Sequence, residues 1–425
     1  MRIGITGPIA DGNLGDYGML VNNIYEMGIN NEYLIYSYNP KISQWVNKEY
    51  LKNFKTSIVS ILLVPNENNT KKRSFRQYFK RLFLKLLGIN KKYLFTPFEI
   101  IKKAKNIDSI TDSISSIDIL VVNGGGCFNK LWYTWHRRND FFSIVIPIII
   151  ANQLNKKIVF TGNSFGPFGD TKGFFELLFC DLKNVHFGIR DNLLSRTTLS
   201  SIGISKNKIS WIPDDFFFLN QNLKKISNPV PFKKYIVLEL YQNIESIENI
   251  IKEFVDFLYE EFNICTVFIP FQEGKGGEEQ GKILQSKINA KYFYLHHLNN
   301  RPLKIAEAYS IISNSEMVIS NRYHAFLIAL ANQVPAISIL KNVSGDKRYY
   351  YNKNYGLIRE IFEGIPIRIL DFLNDDIIGV FIKLKSSFQD IIQSQKEIYS
   401  SDIYKNNLEN HLRIRNDYFK KRILD

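Results

Sequence analysis

At 425 residues, 45% of them hydrophobic and 23% charged, the chain has the composition of a folded globular protein and not of a disordered one. Its length, at about 150 residues per domain, points to two domains. The formal net charge of +14 invites a polyanionic partner, while Cys127, Cys180 and Cys265 lie too far apart to suggest a disulfide framework or a zinc knuckle.

In chain order, Ile3 to Thr6 is the first predicted strand, and Gly12-Asn13-Leu14-Gly15-Asp16 follows it ahead of a helical stretch. Glycines at that place let the backbone approach a ligand, and free amides at the helix start suit an anion. The pattern is not G-x-G-x-x-G, so no dinucleotide site is expected. Asp16 is either the cap of that helix or a carboxylate in a cleft; sequence alone favours the cap. The N-terminus lacks the long apolar stretch and cleavage site of a signal peptide, which predicts a cytoplasmic protein.

Tyr33 to Tyr36 is the next strand. Lys71 to Lys92 then holds nine lysines and arginines without an acid, with Phe75, Phe79, Leu82, Phe83, Leu86 and Leu87 at helical spacing. Such a basic amphipathic helix either covers a core with its basic face solvated or lies on an anionic membrane surface. No helix-turn-helix, zinc-finger or aromatic RNA-binding signature accompanies it, so nucleic acid is not an expected partner.

Ile119 to Val122, Lys157 to Thr161 and His186 to Ile189 continue a βαβ pattern around a mainly parallel sheet. Each ends in chemically useful residues. Asn123-Gly124-Gly125-Gly126 permits backbone amides to converge on a bound group or simply makes a tight turn. Asn163 and Ser164 offer side-chain hydrogen bonds after the fourth strand, and Arg190-Asp191 follows the fifth, with Arg190 an ion-pair partner or a ligand clamp. Phe141 to Ala151, interrupted by Pro147, is shorter than the about 20 residues of a membrane span and reads as a buried helix. Ile209 to Pro213 adds a short strand before Asp214-Asp215.

Asn220 to Lys234 is aperiodic and suits a linker between domains spanning 1–222 and 233–425. Tyr235 to Leu240, Cys265 to Pro270, Tyr292 to Leu295, Met317 to Ile319 and Ala336 to Leu340 are strands of a second sheet, with helices at Ile247 to Phe262, Leu303 to Ser313 and Phe326 to Asn332. From Asp371 onward the chain reads as mostly helical. Ser320-Asn321-Arg322-Tyr323-His324 places an arginine and a histidine between a buried strand and the next helix, where α/β proteins bind phosphate or carboxylate. A salt-bridged arginine and a structural histidine are the plain alternative. Two Rossmann-like domains facing a cleft are the predicted architecture.

In their order and spacing, Gly12 to Asp16, Gly124-Gly125-Gly126, Gly162 to Phe168, Arg190-Asp191, Pro213-Asp214, Arg322-Tyr323-His324 and Gln333-Val334-Pro335 resemble the polysaccharide pyruvyl transferase family. The resemblance implies a fold like that of B-type glycosyltransferases and an enzyme that moves pyruvate from phosphoenolpyruvate to a sugar as a cyclic ketal. It implies that Arg190, Arg322 and His324 hold phosphoenolpyruvate. Two guanidinium groups suit a donor with a phosphate and a carboxylate, and His324 suits a proton donor. Asp16 is the candidate base, with Asp191, Asp214 and Asp215 as alternatives. Asn13, Gly15, Gly124, Gly125, Gly126, Asn163 and Ser164 would line the cleft. Asn163 stands where the family often has glutamine, and Lys341 to Lys347 match its tyrosine and lysine pattern only loosely.

The expected acceptor is a glycan or lipid-linked oligosaccharide of the cell envelope, and no cofactor or metal is expected. A peripheral place on the inner face of the membrane would follow if residues 71–92 dock there. The alternatives are a nucleotide-sugar glycosyltransferase of the same fold and a catalytically silent module docking on membranes.

Overall fold

The computed structural model describes residues 1–9, 12–64, 94–134, 137–240, 247–272, 277–339, 348–363 and 377–425. The predicted basic helix at 71–92 and the stretch 341–347 lie outside them.

Strands β1 (Arg2–Thr6), β2 (Glu32–Ser37), β3 (Lys55–Ser60), β4 (Ile119–Val122), β5 (Gly125–Phe128), β6 (Lys157–Phe165), β7 (Val185–Ile189) and β8 (Ile209–Trp211) form the first sheet. Its order is β3-β2-β1-β4-β6-β7-β8, with β5 beside β6 and all pairs parallel. The central strands are nearly continuous apolar runs because helices cover both faces. The helix Arg138–Gln153 is one of these: Phe141 to Ala151 are buried throughout, with Pro147 inside it.

The second sheet comprises β9 (Tyr235–Glu239), β10 (Cys265–Phe268), β11 (Phe293–Leu295), β12 (Val318–Ser320) and β13 (Ala336–Ser338), in the parallel order β11-β10-β9-β12-β13. In both sheets the winding reverses beside the first strand of the unit, between β1 and β4 and between β9 and β12. Crevices at such reversals, beyond the carboxyl ends of the strands, are where open α/β sheets hold ligands.

One apolar cluster joins the halves, running from Ile3, Tyr17 and Leu20 through Leu303, Tyr323 and Phe326 to Tyr418 and Phe419. The last long helix, Asp402–Phe419, returns to the first sheet. There the Tyr418 hydroxyl donates to the carbonyl of Phe160 at 2.6 Å.

Two strands were not visible in the sequence pattern. β3 is an edge strand with half-exposed, polar-rich residues, and β5 begins at Gly125 inside what reads as a glycine turn. The helix after β12 spans Tyr323–Ala331, starting three residues before the predicted Phe326. Arg322 is its extended N-cap residue, and the Arg322 amide donates to Ser320 Oγ at 2.9 Å, which sets where the turn begins.

Candidate active site at the facing strand ends

Asp215 organises the first sheet's strand ends. Fully buried, it accepts from the amide of Gly124 at 2.8 Å, the amide of Gly162 at 3.1 Å, Asn23 Nδ2 at 2.8 Å, Arg415 Nη1 at 2.9 Å and the hydroxyl of Thr161. A Cβ on Gly124 would run into this carboxylate, so the glycine is required for close approach of an internal acid. Its amide is therefore engaged inside the protein, where the sequence left open either amides converging on a bound group or a tight turn. Gly125 and Gly126 continue into β5.

Arg190, only 2% exposed, leaves β7 in the grip of several groups. Its Nε donates to Ser164 Oγ at 2.8 Å, its Nη1 meets Asp214 Oδ2 at 2.5 Å, and its guanidinium lies 4.7 Å from the centre of the Tyr323 ring. Asp191 is a turn-forming acid: it accepts from the amides of Leu194 and Ser195, each at 2.9 Å, and from the Ser195 hydroxyl. Asn163 is buried and donates to the carbonyl of Asn123 at 3.0 Å, while its Oδ1 has no hydrogen-bond partner among the described residues.

Asn13, not Asp16, caps the helix Leu14–Met27; its Oδ1 accepts from the amide of Gly15 at 3.2 Å. This corrects the reading of Asp16 as the cap. Asp16 sits in the first helical turn, half-buried, where the positive end of the helix favours a carboxylate. The neighbouring Gly15 carries the ring of His324: any side chain there would overlap the imidazole. His324 is buried, with Tyr323 edge-on at 5.1 Å and Phe216 edge-on at 6.1 Å.

In the second sheet, β9 and β12 register Glu239 opposite Ser320. Arg322 Nε donates to Glu239 Oε1 at 2.9 Å and Nη2 to Gln272 Oε1 at 3.2 Å, while Ser320 Oγ donates to Glu239 Oε2 at 3.0 Å. Burial pushes the Glu239 carboxyl up to about 7, although Arg322 pulls in the opposite direction. Burial, reinforced by the Asp214 charge, holds the Tyr323 phenol well above its ordinary value, so it stays protonated beside Arg190. Glu239 escaped the sequence reading; its one signal is an acid ending the apolar run Tyr235 to Leu238.

The structure thus brings Gly15, His324, Tyr323, Arg190 and Ser164 into a continuous set of contacts spanning both sheets. Arg322 joins it as the residue before Tyr323. Asp214 and Asp215 are occupied by internal cations. No group of three or more His, Cys, Asp or Glu side chains able to hold a metal occurs among the described residues. No helix among them is long and apolar enough to cross a membrane.

Two parallel α/β sheets meeting at their carboxyl edges place the chain in the B-type glycosyltransferase class of fold. Solved structures agree. An Anabaena protein, Alr3699/HepE in complex with UDP-glucose, is similar with a TM-score of 0.57 and 9% identity over 99% of each chain. A putative UDP-N-acetylglucosamine 2-epimerase from Listeria monocytogenes gives 0.56 and 10% over 99% of this chain and 96% of that one. The UDP-GlcNAc 2-epimerase of Neisseria meningitidis gives 0.55 and 12%, over 97% of this chain and 99% of that one. No curated protein sequence matches the chain. Within this class the chain belongs to the polysaccharide pyruvyl transferase family, whose model matches residues 20–340. That span includes Arg190, Arg322 and His324 and begins after Gly12 to Asp16.

Proposed function

We propose that the protein is a ketal-forming pyruvyl transferase that moves pyruvate from phosphoenolpyruvate to a sugar of a cell-surface polysaccharide or its lipid-linked precursor, releasing phosphate. One arrangement carries this reading: Tyr323 lies against both Arg190 and His324, with Arg322 beside it, where the two sheets' strand ends meet. A donor bearing a phosphate and a carboxylate needs more than one cation and a proton source, and guanidinium groups bind such anions with paired hydrogen bonds.

In this mechanism Arg190, Arg322 and His324 hold the donor. His324 protonates the methylene carbon or the departing phosphate, since an imidazole is suited to proton transfer near neutral pH. A sugar hydroxyl attacks C2, its proton passing to Asp16. The C2–O bond to phosphate then breaks, and a second hydroxyl closes the ketal as its proton passes to the departing phosphate. The two hydroxyl protons thus balance the one gained by the methylene carbon and the one carried off with phosphate. The arginines stabilise negative charge growing on phosphate. The enzyme would work in the cytoplasm, at the inner face of the membrane if the basic residues of 71–92 dock on anionic lipid and not merely face solvent.

The test is incubation with phosphoenolpyruvate and candidate lipid-linked glycans. Phosphate release with an acceptor mass gain of pyruvate minus water supports the reading; transfer from a nucleotide sugar alone overturns it. Arg322→Ala and His324→Ala should abolish transfer, and wild-type turnover in either removes that residue from the site. Liposome sedimentation of a Lys80→Glu, Arg81→Glu, Lys85→Glu variant tests membrane docking, which undiminished binding would rule out.

A further inference from the structure

Arg322 stands at the winding reversal of the second sheet, where the carboxyl ends of β9 and β12 diverge. Its side chain is 11% exposed, whereas that of Glu239 is 0% exposed. The Arg322 side chain is thus partly open to solvent, and the acid behind it is not. The acid is tied on both oxygens: Oε1 takes Arg322 Nε at 2.9 Å and Oε2 takes the Ser320 hydroxyl at 3.0 Å. Ser320 Oγ in turn accepts from the Arg322 amide at 2.9 Å, so the main chain and the guanidinium of one residue are tied to the same carboxylate. Gln272, entering from the end of β10, holds Nη2 from a third direction at 3.2 Å.

An arginine side chain has many rotamers, and an unsupported one would have to be ordered each time an anion binds. A bond to Nε fixes the plane of the guanidinium, because Nε, both Nη atoms and the central carbon are coplanar. We infer that Glu239 is a positioning residue for anion capture: with Ser320 and Gln272 it sets the plane in which Arg322 meets the donor's phosphate or carboxylate, without touching the donor itself. The identity of that donor rests on the function proposed above; the positioning role does not. Arg322 is also the charged partner that shapes the Glu239 carboxyl, and the other two side chains bonded here, Ser320 and Gln272, are neutral.

The experiment uses the full-length protein with inorganic sulfate as the probe, a dianion that does not change protonation near neutral pH. Binding is followed by calorimetry and by the Nε–H resonance of Arg322, assigned with Arg322→Ala. Glu239→Ala should weaken sulfate by about 10-fold or more. Glu239→Gln keeps an acceptor for Nε and should restore affinity to within about threefold of wild type. In turnover, Glu239→Ala should raise KM for phosphoenolpyruvate more than it lowers kcat, and Glu239→Gln should reverse that rise.

Where Glu239→Ala does not fold, Glu239→Gln and Gln272→Ala carry the comparison, the former near wild type and the latter weakened. Wild-type affinity in Glu239→Ala overturns the inference. So does a glutamine variant as weak as Arg322→Ala, which would make charge and not placement the cause, and so does a wild type that binds no sulfate. A wild type that binds sulfate with this pattern yet consumes no phosphoenolpyruvate leaves the positioning role standing and overturns the donor.

Discussion

The imidazole of His324 rests on the Cα of Gly15, so the first turn of the first helix and the first turn of the helix after β12 form one packed unit. Because β1 and β12 belong to different sheets, this contact couples the placement of His324 to the relative placement of the two halves.

Gly15→Ala isolates that contact. Within a helix, alanine replacing glycine is favourable by about 0.5–1 kcal/mol, but overpacking a buried site costs about 1–3 kcal/mol. The clash should win, giving a modest net loss of stability by urea unfolding. Displacing the imidazole by about 1 Å should lower kcat/KM roughly 100-fold. A variant with unchanged activity would separate His324 from the chemistry.

The Arg190–Asp214 pair is fully enclosed, at 1% and 0% side-chain exposure. Removing one partner of such a pair leaves a buried charge and costs about 3–5 kcal/mol. Asp214→Ala should show that loss in urea unfolding. Arg190→Met combined with Asp214→Leu should recover much of it while remaining inactive, because the apolar pair satisfies the core but binds no anion.

Arg415 pairs with Glu26 Oε2 at 2.7 Å and Asp215 Oδ1 at 2.9 Å, and is fully buried. Arg415→Ala should cost about 3–5 kcal/mol. Hydrogen exchange should speed up in Asp402–Phe419 and also at the Gly124 and Gly162 amides, since both donate to Asp215. Exchange confined to the C-terminal helix would show that Asp215 holds the loops unaided.

Glu239 predicts a pH dependence of stability. Its folded carboxyl lies at about 7 against an ordinary 4.5, so between those values the folded state binds the extra proton. Its contribution is fully present below about 4.5 and is lost as pH rises through 7. Thermal unfolding from pH 4.5 to 8 should show this descending component in wild type and not in Glu239→Gln. A component that instead rises through the same window in wild type alone would give the opposite sign.

The sheets were legible because buried parallel strands are written as short apolar runs such as Ile119 to Val122, and because their ends carry glycine, asparagine or arginine. The placement of Arg190, Arg322 and His324 at strand ends was legible for the same reason: each follows such a run. What those residues touch was not legible. The Asp215 links to Asn23 and Arg415, and the seating of His324 on Gly15, join distant segments and leave no periodic trace. Asn13 was overlooked as the cap because an aspartate three positions later satisfies the same compositional rule. β3 was hidden by its edge position, where polar residues replace the apolar run.

The cation that neutralises Asp215 comes from near the chain's end, while the loops that Asp215 gathers come from its first half. As the chain emerges from the ribosome, the first sheet is made long before Arg415, and domains tend to fold in order of synthesis. Until then Asp215 lacks the Arg415 guanidinium that it meets in the finished molecule, and burying a carboxylate without a cation is strongly unfavourable. The strand-end loops at Gly124 and Gly162 are thus expected to reach their final form only once Arg415 has docked on Asp215.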